Sequence, residues 1–459
     1  MKIVVCVRQA VNGELNPFDA CAYEAALRVA GAEVILLSMG PLKAEGFLKN
    51  LTRLGAKQAY LLSDSAFAGS DTLATAYTLS LAIKKLQPDL ILCGRQTIDG
   101  DTGQVGPELA TLTHYHLITN VMEMKVKDNI SCRTREEEEI TAEYPALCTV
   151  ERIHTLRLPS IRSKEGEVHI WNATDLEADL TRCGLNGSPT KVIKTFENEQ
   201  DRRKCTFINK EDLPGVINMA LQQARQRLTP VMDNQMKLSK VWIVGEAPRE
   251  MAESISDDIT VIPLEEPQLM AQRITEGGPE VVLWGSDTES KAVSAQVAAL
   301  LQLGLCADCT ALETDGKELY MYRPAFTGNI IAKIRSTTRP QMATVRTLQD
   351  NTASIVVGVG MGAKNVLEQV KTYAENLGAE LASSRLLVDH DYMTYEKQVG
   401  LTGKSINPDV YLALGISGAV HHIAGIRQSQ TIIAVNHDKN APIFQYADYG
   451  IICEVEEIL

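Results

Sequence analysis

The sequence feature that most constrains the fold is an internal repeat. Three short motifs occur twice in the same order: an apolar run that begins with Pro and ends with Gly, a helical pattern that contains Gln-Val, and a Pro-x-x-x-Thr-Val strand. Their positions are 88–94 and 279–285, 104–105 and 296–297, and 145–150 and 340–345. Convergence of strand composition is the alternative explanation for any one of these matches. The ordered set favours two related α/β domains in one chain.

Short apolar runs alternate with amphipathic helical patterns in the first of these domains. The runs are at 3–7, 33–38, 59–63 and 89–93, and the helical patterns are at 20–30, 44–54 and 71–86. Apolar runs separated by helices predict parallel strands that are buried on both faces of a sheet. A third region, from about residue 354, has a strand at 355–357, a glycine-rich turn at 358–362 and a helix at 365–377. That order suits phosphate binding.

The charge balance excludes some classes of partner. The 459 residues carry a net charge of −13 at pH 7, with a pI near 5.2. A nucleic-acid binder needs a basic face, and an anionic membrane repels an acidic chain, so neither partner is expected. The apolar run at 3–7 is too short for a signal sequence, and no apolar run approaches the roughly 20 residues of a membrane span.

The ten cysteines are scattered along the chain, and only Cys306 and Cys309 form a CxxC pair. A four-thiolate metal site would need a second pair. We therefore interpret Cys306 and Cys309 as partly buried structural cysteines rather than as a disulfide or a metal site. Scattered cysteines also indicate reduced thiols and a cytoplasmic location.

The C-terminal region places glycine and polar residues at the ends of two predicted strands. The strand at 410–414 runs into residues 415–419 (GISGA), and the next strand ends at Asn436. Ligands of open parallel sheets lie beyond the carboxyl ends of the strands, and glycines let the backbone approach a ligand closely. A helix that begins near Ser417 would favour a pyrophosphate at its N-terminus. Arg385 supplies a permanent positive charge.

These residues lie in a longer segment, 383–454, that resembles the flavin domain of the electron-transfer flavoprotein α subunit. The family motifs SR, QVGxTG, GISGA and APIFxxADYGI occur in it in register. The resemblance implies that FAD is held by Ser384, Arg385, Gln398, Val399, Gly400, Thr402, Gly403, Gly415, Ile416, Ser417, Gly418, Ala419, His421, His422, Asn436, Asp438 and Glu454.

The same resemblance assigns roles to some of these residues. Arg385 is expected over the flavin ring, where a cation stabilises the negative charge that forms on reduction. Thr402 is expected near N5 of the ring and His422 at its pyrimidine edge. The ribityl, phosphate and adenosine portions are expected to be held with the help of Ser384, Ser417 and Asn436.

Three positions depart from the family pattern. Leu401 and His421 stand where glutamine is usual, and Glu454 stands where aspartate is usual. We expect these changes to alter the potential or the affinity of the flavin rather than to abolish its binding. For His421 the alternative is an ordinary solvated histidine on a helix.

The first domain resembles the β subunit of the same family. Its motifs are VCVR at 5–8, NPFD at 16–19 and the loop GRQTIDGDTGQVGP at 94–107. Amide and hydroxyl donors in such a turn, followed by a helix N-terminus, suit a nucleotide. The resemblance implies a second FAD or, alternatively, AMP, held by Cys6, Val7, Arg8, Asn16, Asp19, Cys93, Gly94, Asp99, Gly100, Asp101, Thr102, Gly103, Gln104 and Val105.

Two kinds of family member differ in this loop. Plain carriers hold AMP in the β subunit, whereas bifurcating members hold a second FAD that accepts hydride from NADH. The form of the loop in this chain, GDTGQVGP, resembles the second kind, because the AMP-holding form lacks the glycine and the Gly-Pro pair. We therefore expect a second FAD, with AMP as the alternative.

Residues 157–161 (RLPSI) resemble the β-subunit loop that docks onto acyl-CoA dehydrogenases, with Leu158 as its apolar anchor. An ordinary exposed loop leucine is the alternative. The basic cluster that commonly follows this loop is reduced here to Arg162 and Lys164. That reduction leaves the class of partner open.

Together these observations predict an α/β chain with two related open-sheet α/β domains and a C-terminal flavodoxin- or Rossmann-like FAD-binding domain. The expected bounds are 1–230 for the β-like domain, 231–350 for a shortened α-subunit N-terminal domain and 351–459 for the FAD-binding domain. The clearest piece of the middle domain is RPAFTGN at 323–329.

The expected function is that of an electron carrier with its β and α subunits fused. Electrons would pass from NADH or an acyl-CoA dehydrogenase-type flavoenzyme through FAD to an acceptor such as ferredoxin or flavodoxin. With a second FAD, the chain would be a bifurcating flavoprotein that oxidises NADH. A simple FAD/AMP carrier is one alternative, and a non-redox nucleotide-binding interaction protein is another. A conventional dehydrogenase lacks support, because no acid–base pair or nucleophile is placed for substrate chemistry.

Overall fold

The fold is known from a computed structural model of the chain. It describes residues 1–10, 13–136, 138–151, 154–197, 203–226, 236–325, 330–346, 353–400, 404, 406–427 and 429–459. There are two compact units, which are residues 1–194, 233–323 and 332–346, and residues 195–232, 324–331 and 347–459. Within the first unit we call residues 1–189 the first lobe, and residues 236–323 with 332–346 the second lobe.

The first lobe is one sheet with helices on both faces. Its strands are β1 (Lys2–Cys6), β2 (Glu33–Met39), β3 (Gln58–Leu62), β4 (Leu90–Gly94), β5 (His116–Val126), β6 (Ile130–Thr134), β7 (Glu139–Ala142), β8 (Ala146–Val150) and β9 (Glu167–Trp171). Its helices are α1 (Pro17–Leu27), α2 (Glu45–Thr52), α3 (Thr72–Leu86) and α4 (Val105–Thr113). The strand order is β7-β6-β5-β8-β4-β1-β2-β3-β9. The sheet is parallel from β5 to β9, and β5, β6 and β7 pair antiparallel.

The apolar composition of β1 follows from its position in the middle of this sheet. Ile3 and Val5 pack into a core with residues of α1 and α2, whereas Val4 packs into a second core with residues of α3 and α4. A strand that is buried on both faces has no polar side, so its sequence is a continuous apolar run. The prediction of a doubly covered parallel sheet is thereby confirmed.

The second lobe repeats the same arrangement. Its elements are β12 (Val241–Val244), α6 (Arg249–Ile255), β13 (Ile259–Ile262), α7 (Pro267–Gly277), β14 (Val281–Trp284), α8 (Thr288–Leu301), β15 (Leu305–Cys309), β16 (Ala311–Thr314), β17 (Leu319–Ala325), β18 (Ile330–Ser336) and β19 (Gln341–Val345). The parallel strand order β13-β12-β14-β19-β15 matches the order β2-β1-β4-β8-β5 of the first lobe. A smaller sheet has the order β10-β18-β17-β16, with β10 formed by Thr190–Glu197.

The repeat extends to a single hydrogen bond in each lobe. Asn120 in β5 and Asp308 in β15 both have a left-handed backbone, with φ of 53° and 54°. The Asn120 amide donates to Thr149 Oγ1 at 3.0 Å, and the Asp308 amide donates to Thr344 Oγ1 at 2.8 Å. Both threonines belong to the Pro-x-x-x-Thr-Val motif. The threonine of that motif therefore fixes an irregular residue of the neighbouring strand, which explains why the motif occurs in both lobes.

The second unit is a separate parallel sheet. Its elements are β11 (Thr206–Phe207), α5 (Leu213–Gln226), β20 (Ile355–Val359), α9 (Leu367–Asn376), β21 (Glu380–Ser383), α10 (Arg385–Asp389), β22 (Val410–Leu414), α11 (Val420–Ile426), β23 (Thr431–Val435) and β24 (Tyr449–Ile451). The strand order is β11-β24-β23-β22-β20-β21. Leu213 and Ile217 of α5 share a core with Ile355 and Val357 of β20. Residues 195–232 thus group with this unit, although the sequence-based boundary lay at residue 230.

Arg203 holds the segment before β11 against the second sheet. Its guanidinium forms an ion pair with Asp448 and donates to the carbonyl oxygen of Ser429 at 2.5 Å. The Asp448 carboxylate also accepts from the Ile432 amide at 2.8 Å, at the start of β23. A buried guanidinium with several acceptors fixes geometry strongly, because leaving any of them unpaired costs free energy.

Among the described helices, none is both long and apolar enough to cross a membrane. Cys306 and Cys309 lie on β15 and are buried in the core of the second lobe. In the part of the chain that the structure describes, no group of three His, Cys, Asp or Glu side chains could hold a metal ion.

The repeated threonine bond makes a prediction about stability. We expect Thr149→Val and Thr344→Val each to destabilise the first unit by about 1–2 kcal/mol, because a buried backbone amide loses its acceptor while the side-chain volume is kept. Urea unfolding followed by tryptophan fluorescence measures this, since all three tryptophans lie in the first unit. The control is Thr113→Val, where the hydroxyl donates only to helix carbonyls. Equal stability of all three variants would contradict the role given to the motif.

Candidate nucleotide-binding sites

The candidate site of the second unit lies where the order of strand addition reverses within the parallel sheet. β20 pairs with β21 on one side and with β22 on the other, so the turns after β20 and β22 leave a crevice at their carboxyl ends. The Gly360 amide donates to Leu414 O at 2.8 Å, and the Gly362 amide donates to Gly415 O at 3.1 Å. A Cβ on Gly360 would lie 2.2 Å from Gly415 O. Glycine is required here because the two turns touch backbone to backbone.

The turn after β22 is fixed at its other end as well. Gly415 has a φ of +63° and Gly418 a φ of +89°, which favour glycine. A Cβ on Gly418 would lie 2.1 Å from the Ile443 amide nitrogen, and that amide donates to Ser417 O at 3.1 Å. The close approach expected at Gly415 and Gly418 is therefore, in the described chain, an approach to neighbouring backbone. The helix expected near Ser417 begins at Val420.

Asn436 organises the loop after β23. Its Nδ2 donates to Ile416 O at 3.0 Å, and its Oδ1 accepts from the Asp438 amide at 2.9 Å. The side chain is buried, so both bonds are made away from bulk water. Glu454 is exposed at the edge of this region, 3.8 Å from His437 Nδ1. Asn436 thus ties the loops after β22 and β23 into one rigid edge of the site.

His422 lies inside the second unit rather than on its surface. It is 6% exposed, and its Nε2 is 2.9 Å from the hydroxyl of Tyr411, which lies on β22. Burial lowers the pKa of His422 to about 4, although the Val399 backbone raises it. The imidazole is therefore neutral at pH 7. Gly358 makes room for this pair, because a Cβ there would lie 1.7 Å from the Tyr411 hydroxyl.

Ser384 and Arg385 follow β21 at the same edge of the sheet. Ser384 precedes the first turn of α10, and Arg385 is the first residue of that helix. Arg385 Nε is 3.1 Å from Asp389 Oδ2, in a pair that is partly open to solvent, so its charge is only weakly offset. The Val399 amide donates to Ser383 O at 2.9 Å, which brings Gln398, Val399 and Gly400 beside the serines. A Cβ on Gly425 would lie 2.3 Å from the Gly400 amide nitrogen.

The residues present fit a nucleotide cofactor such as FAD. The hydroxyl oxygens of Ser383 and Ser384 are buried, and neither has a hydrogen-bond partner among the described residues. Buried polar atoms without partners are rare, and a ligand with many donors and acceptors would satisfy them. Thr402 and Gly403 lie outside the described residues, and so does the side chain of His421. Ile416 and Ala419 flank the glycine turn on either side of Ser417.

Sequence reasoning missed Tyr411 and Ser383. Tyr411 was read only as part of a strand, and Ser383 only as the start of a segment. The signal that could have found Tyr411 is the small residue Gly358, which leaves space on the neighbouring strand. No local sequence pattern predicts that Tyr411 lies beside Gly358, because these residues meet only through the register of β20 and β22.

The candidate site of the first lobe has the same placement. β1 pairs with β2 on one side and with β4 on the other, so a crevice forms at the carboxyl ends of β1 and β4. Cys6 and Cys93 are register partners at these ends, followed by Val7 and Gly94. Burial and a hydrogen bond with Cys6 raise the pKa of the Cys93 thiol well above its usual range. The Cys93 thiol is therefore protonated at pH 7 and acts as a packing group.

Asp19 ties the start of α1 to the ends of β1 and β4. Its Oδ2 accepts from the Arg8 amide at 2.8 Å, and a Cβ on Gly94 would lie 2.4 Å from its Oδ1. Burial raises the pKa of Asp19 to about 7, although hydrogen bonds from Asn16, Arg8 and Gly94 lower it. Asn16 Nδ2 donates to Gln96 O at 2.9 Å. Residues of the motifs at 5–8 and 16–19 thus meet around the carboxyl group of Asp19.

The acidic loop between β4 and α4 is held by its own side chains. Asp99 Oδ2 is 3.3 Å from Arg8 Nη2, and Gln96 donates to the Asp101 carboxylate. The Gly100 amide donates to Thr97 Oγ1 at 3.3 Å. Asp101 and Gly103 have φ of +54° and +66°. Left-handed residues in a short loop are common in backbone nests, which can bind anions.

The loop runs directly into helix α4. Thr102 and Gly103 precede Gln104, which is the N-cap, and Val105 is the first helical residue. Gln104 Oε1 accepts from Thr72 Oγ1 at 3.1 Å, which anchors the helix start to α3. A glycine-containing loop followed by a helix N-terminus is suited to phosphate groups. The residues named from the sequence are therefore brought together at one crevice.

Leu158 stands on an exposed loop of the first lobe. It is 89% exposed, and Ile161 is 100% exposed. The base of the loop is fixed, because Arg157 Nε and Nη2 donate to the two carboxylate oxygens of Glu24 at 2.9 and 3.0 Å. Glu24 is buried and also bonds Arg28 Nε at 3.0 Å. A rigid base that presents two apolar side chains to solvent is suited to contact with another protein.

Glycine turns and polar donors at the carboxyl edges of parallel sheets are typical of nucleotide-binding α/β proteins. The family model of the electron transfer flavoprotein domain matches residues 3–176 and 260–375, which is more than half of the chain. The model of the electron transfer flavoprotein FAD-binding domain matches residues 347–427. The chain belongs to the electron transfer flavoprotein family.

Relatives of both subunits of this family are similar to the chain. Subunit beta of Thermoanaerobacterium thermosaccharolyticum is 40% identical over 235 residues, which cover 48% of this chain and 88% of the relative. Subunit alpha of the same organism is 35% identical over 227 residues, which cover 39% and 69%. Subunit CarD of the caffeyl-CoA reductase-Etf complex of Acetobacterium woodii is 41% identical over 204 residues, which cover 41% and 78%. Similarity to both subunits confirms a fused β–α chain, with FAD as the cofactor of its C-terminal domain.

The buried His422 makes a prediction about pH. A folded-state pKa near 4, below the unfolded value near 6.5, means that the unfolded chain binds the extra proton between these pH values. The free energy of unfolding of the second unit should therefore fall by about 3 kcal/mol as the pH is lowered from 6.5 to 4. Hydrogen exchange of β20 and β22 peptides in urea measures it. His422→Gln should remove this slope and exposed His437→Gln should keep it; equal slopes would contradict the assignment.

Proposed function

We propose that this chain is a bifurcating electron transfer flavoprotein with two FAD, one in the second unit and one in the first lobe. The observation that carries the proposal is the loop at 94–107. Gly103 adopts a φ of +66°, and a Cβ on Gly106 would lie 2.5 Å from Thr149 Cγ2. Gly106 belongs to the Gly-Pro pair that, by the resemblance, the AMP-holding form of the loop lacks. Gly106 lets the first turn of α4 lie against β8, close to Thr149.

FAD supplies the redox chemistry, since it accepts electrons in pairs and passes them on singly. The residues of the chain hold and tune it. In the second unit Arg385 supplies the positive charge, and His422 offers a neutral imidazole that is held by Tyr411. Asn436 keeps the loops of the site in place. Preorganised donors of this kind favour the reduced, negatively charged form of a ring placed beside them.

In the first lobe the acidic loop and the start of α4 would hold the second FAD, and NADH would reduce it. The protein partners proposed for electron transfer are ferredoxin or flavodoxin and an acyl-CoA dehydrogenase-type flavoenzyme. The exposed Leu158 and Ile161 support a protein partner at this lobe. One relative is named as a subunit of a caffeyl-CoA reductase complex, which supports a partner that acts on CoA esters.

The proposal predicts the cofactor content of the purified chain. Acid release of bound nucleotides should give two FAD per chain, and NADH should bleach the bound flavin under anaerobic conditions. One FAD with one AMP per chain would instead identify a simple carrier and contradict the second flavin. A chain that takes up no flavin after incubation with FAD would be a nucleotide-binding protein without redox function. Reversed-phase separation of the released nucleotides distinguishes the three results.

A second prediction concerns the docking loop. Leu158→Ala should raise the KM for an acyl-CoA dehydrogenase-type partner about tenfold, because an apolar side chain buried in a protein interface contributes about 1.5–3 kcal/mol. The flavin spectrum and kcat should stay unchanged. The matched control is Leu269→Ala, an exposed leucine on α7 of the second lobe. If both variants keep the wild-type KM in steady-state electron transfer, Leu158 does not dock the partner.

A further inference from the structure

One arginine of the second lobe contacts the nucleotide loop of the first lobe. Arg323 lies on β17 and is 6% exposed. Its Nη2 donates to the carbonyl oxygen of Asp101 at 3.1 Å. Asp101 is the left-handed residue of the acidic loop, and its own amide donates to Thr97 O at 2.9 Å. The conformation of this residue is therefore fixed from both sides, once by its own loop and once by the second lobe.

A second contact between the lobes lies at the other end of the loop. Gln104, the N-cap of α4, is buried, and its Nε2 donates to the carbonyl oxygen of Leu305 in β15 at 3.3 Å. The Asp101 and Gln104 contacts enclose Thr102 and Gly103. The amides of this short stretch are the ones that a nest before a helix presents to an anion. The second lobe thus holds the loop at each end of its anion-binding stretch.

Arg323 belongs to a cluster of charged residues in the second lobe. Asp308 is buried, with Lys291 Nζ 2.9 Å from its Oδ1 and Arg346 Nη2 3.5 Å from its Oδ2. Burial raises the pKa of Asp308, but the charges of Lys291, Arg346 and Arg323 outweigh that effect and hold it at about 2. Three cations surround one carboxylate, so the cluster carries an excess of positive charge. Arg323 Nε is also buried without a hydrogen-bond partner among the described residues.

The nucleotide loop of the first lobe is acidic, and the positive cluster of the second lobe offsets its negative charge. Its loop carries Asp99 and Asp101, which would repel the phosphates of a nucleotide. Two of its own arginines are already paired, Arg8 with Asp99 at 3.3 Å and Arg95 with the buried Glu151 at 3.0 Å. Glu151 is also paired with Arg135 at 3.3 Å, and Arg323 adds a further positive charge to the loop from the second lobe. In a site of low dielectric, such a charge acts strongly on a nearby phosphate.

We propose that Arg323 is a positioning residue, supplied by the second lobe, for the nucleotide site of the first lobe. Through the Asp101 carbonyl it holds residues 101–104 in the form that binds the diphosphate of a dinucleotide, and its charge offsets the acidic loop. The site is then composite, and neither lobe forms it alone. This inference rests on the proposed second nucleotide, and it extends that proposal by naming the diphosphate as the recognised group.

The test compares three variants of the full chain. Arg323→Met removes the bond and the charge, Arg323→Lys keeps the charge, and Arg273→Met removes an exposed arginine that pairs only with Glu265 in the same lobe. Each protein, stripped of first-lobe nucleotide, is titrated calorimetrically with FAD and with AMP. Arg323→Met should weaken FAD binding about tenfold or more, because a charge-assisted hydrogen bond is lost. It should weaken AMP binding less, since AMP has one phosphate.

A readout that needs no ligand accompanies the titration. In the nucleotide-free chain, hydrogen exchange of the peptide that covers residues 95–106 should be faster in Arg323→Met than in wild type. Arg323→Lys should restore most of the protection, and Arg273→Met should not differ from wild type. FAD bound to the second unit should remain at wild-type content in all variants, which shows that each variant is folded.

The outcomes separate the inference from the proposal on which it rests. A wild-type chain that binds neither FAD nor AMP in the first lobe would contradict the proposed function. If wild type binds FAD there and Arg323→Met binds it equally well with equal loop exchange, the role of Arg323 is wrong. Weaker FAD binding with faster loop exchange, both restored by lysine, supports the composite site.

Discussion

Contact between backbones at the carboxyl ends of neighbouring strands is the constraint on which both candidate sites depend. In the first lobe a Cβ on Gly94 would lie 2.7 Å from the Asp19 amide nitrogen, and in the second unit a Cβ on Gly360 would lie 2.2 Å from Gly415 O. Side chains are excluded from these points, so the turns that follow can present amides and short polar groups instead. Burial raises the pKa of Asp19 in the first site and lowers the pKa of His422 in the second.

The sequence was informative wherever a property is local. Apolar runs of buried strands, such as 410–414, and the ordered repeat predicted the parallel sheets, because burial on both faces dictates composition. Contacts that depend on strand register and on tertiary packing were not predictable from the sequence. The contact of Arg323 with Asp101 joins residues that are far apart in the chain. The amphipathic pattern of α5 predicts that the helix has one buried face, but it does not predict which sheet that face covers. The cytoplasmic location and the individual FAD contacts, including Thr402, stay predictions.

The two lobes show how a duplicated fold can divide its work. Both keep the threonine that fixes a left-handed residue on the adjacent strand, because that bond shapes the sheet. The residue it fixes has diverged, from neutral Asn120 in the first lobe to charged Asp308 in the second. The Asn120 side chain donates to Glu136 and Thr288, whereas the Asp308 carboxylate pairs with Lys291 and Arg346. The first lobe has the glycine loop, and the second lobe has the cluster of positive charge around Asp308.

The segment at 203–226 also limits how this chain can be divided. It lies before the second lobe in sequence, yet β11 completes the edge of the second sheet beside β24, and α5 covers apolar side chains of β20. A gene fragment that starts at residue 351 would therefore encode a sheet with one unpaired edge and an uncovered face, and such surfaces aggregate. Separately encoded halves would have to be cut before residue 203. The first lobe could then be exchanged as one piece, and residues 195–232 would have to stay with the rest of the second unit.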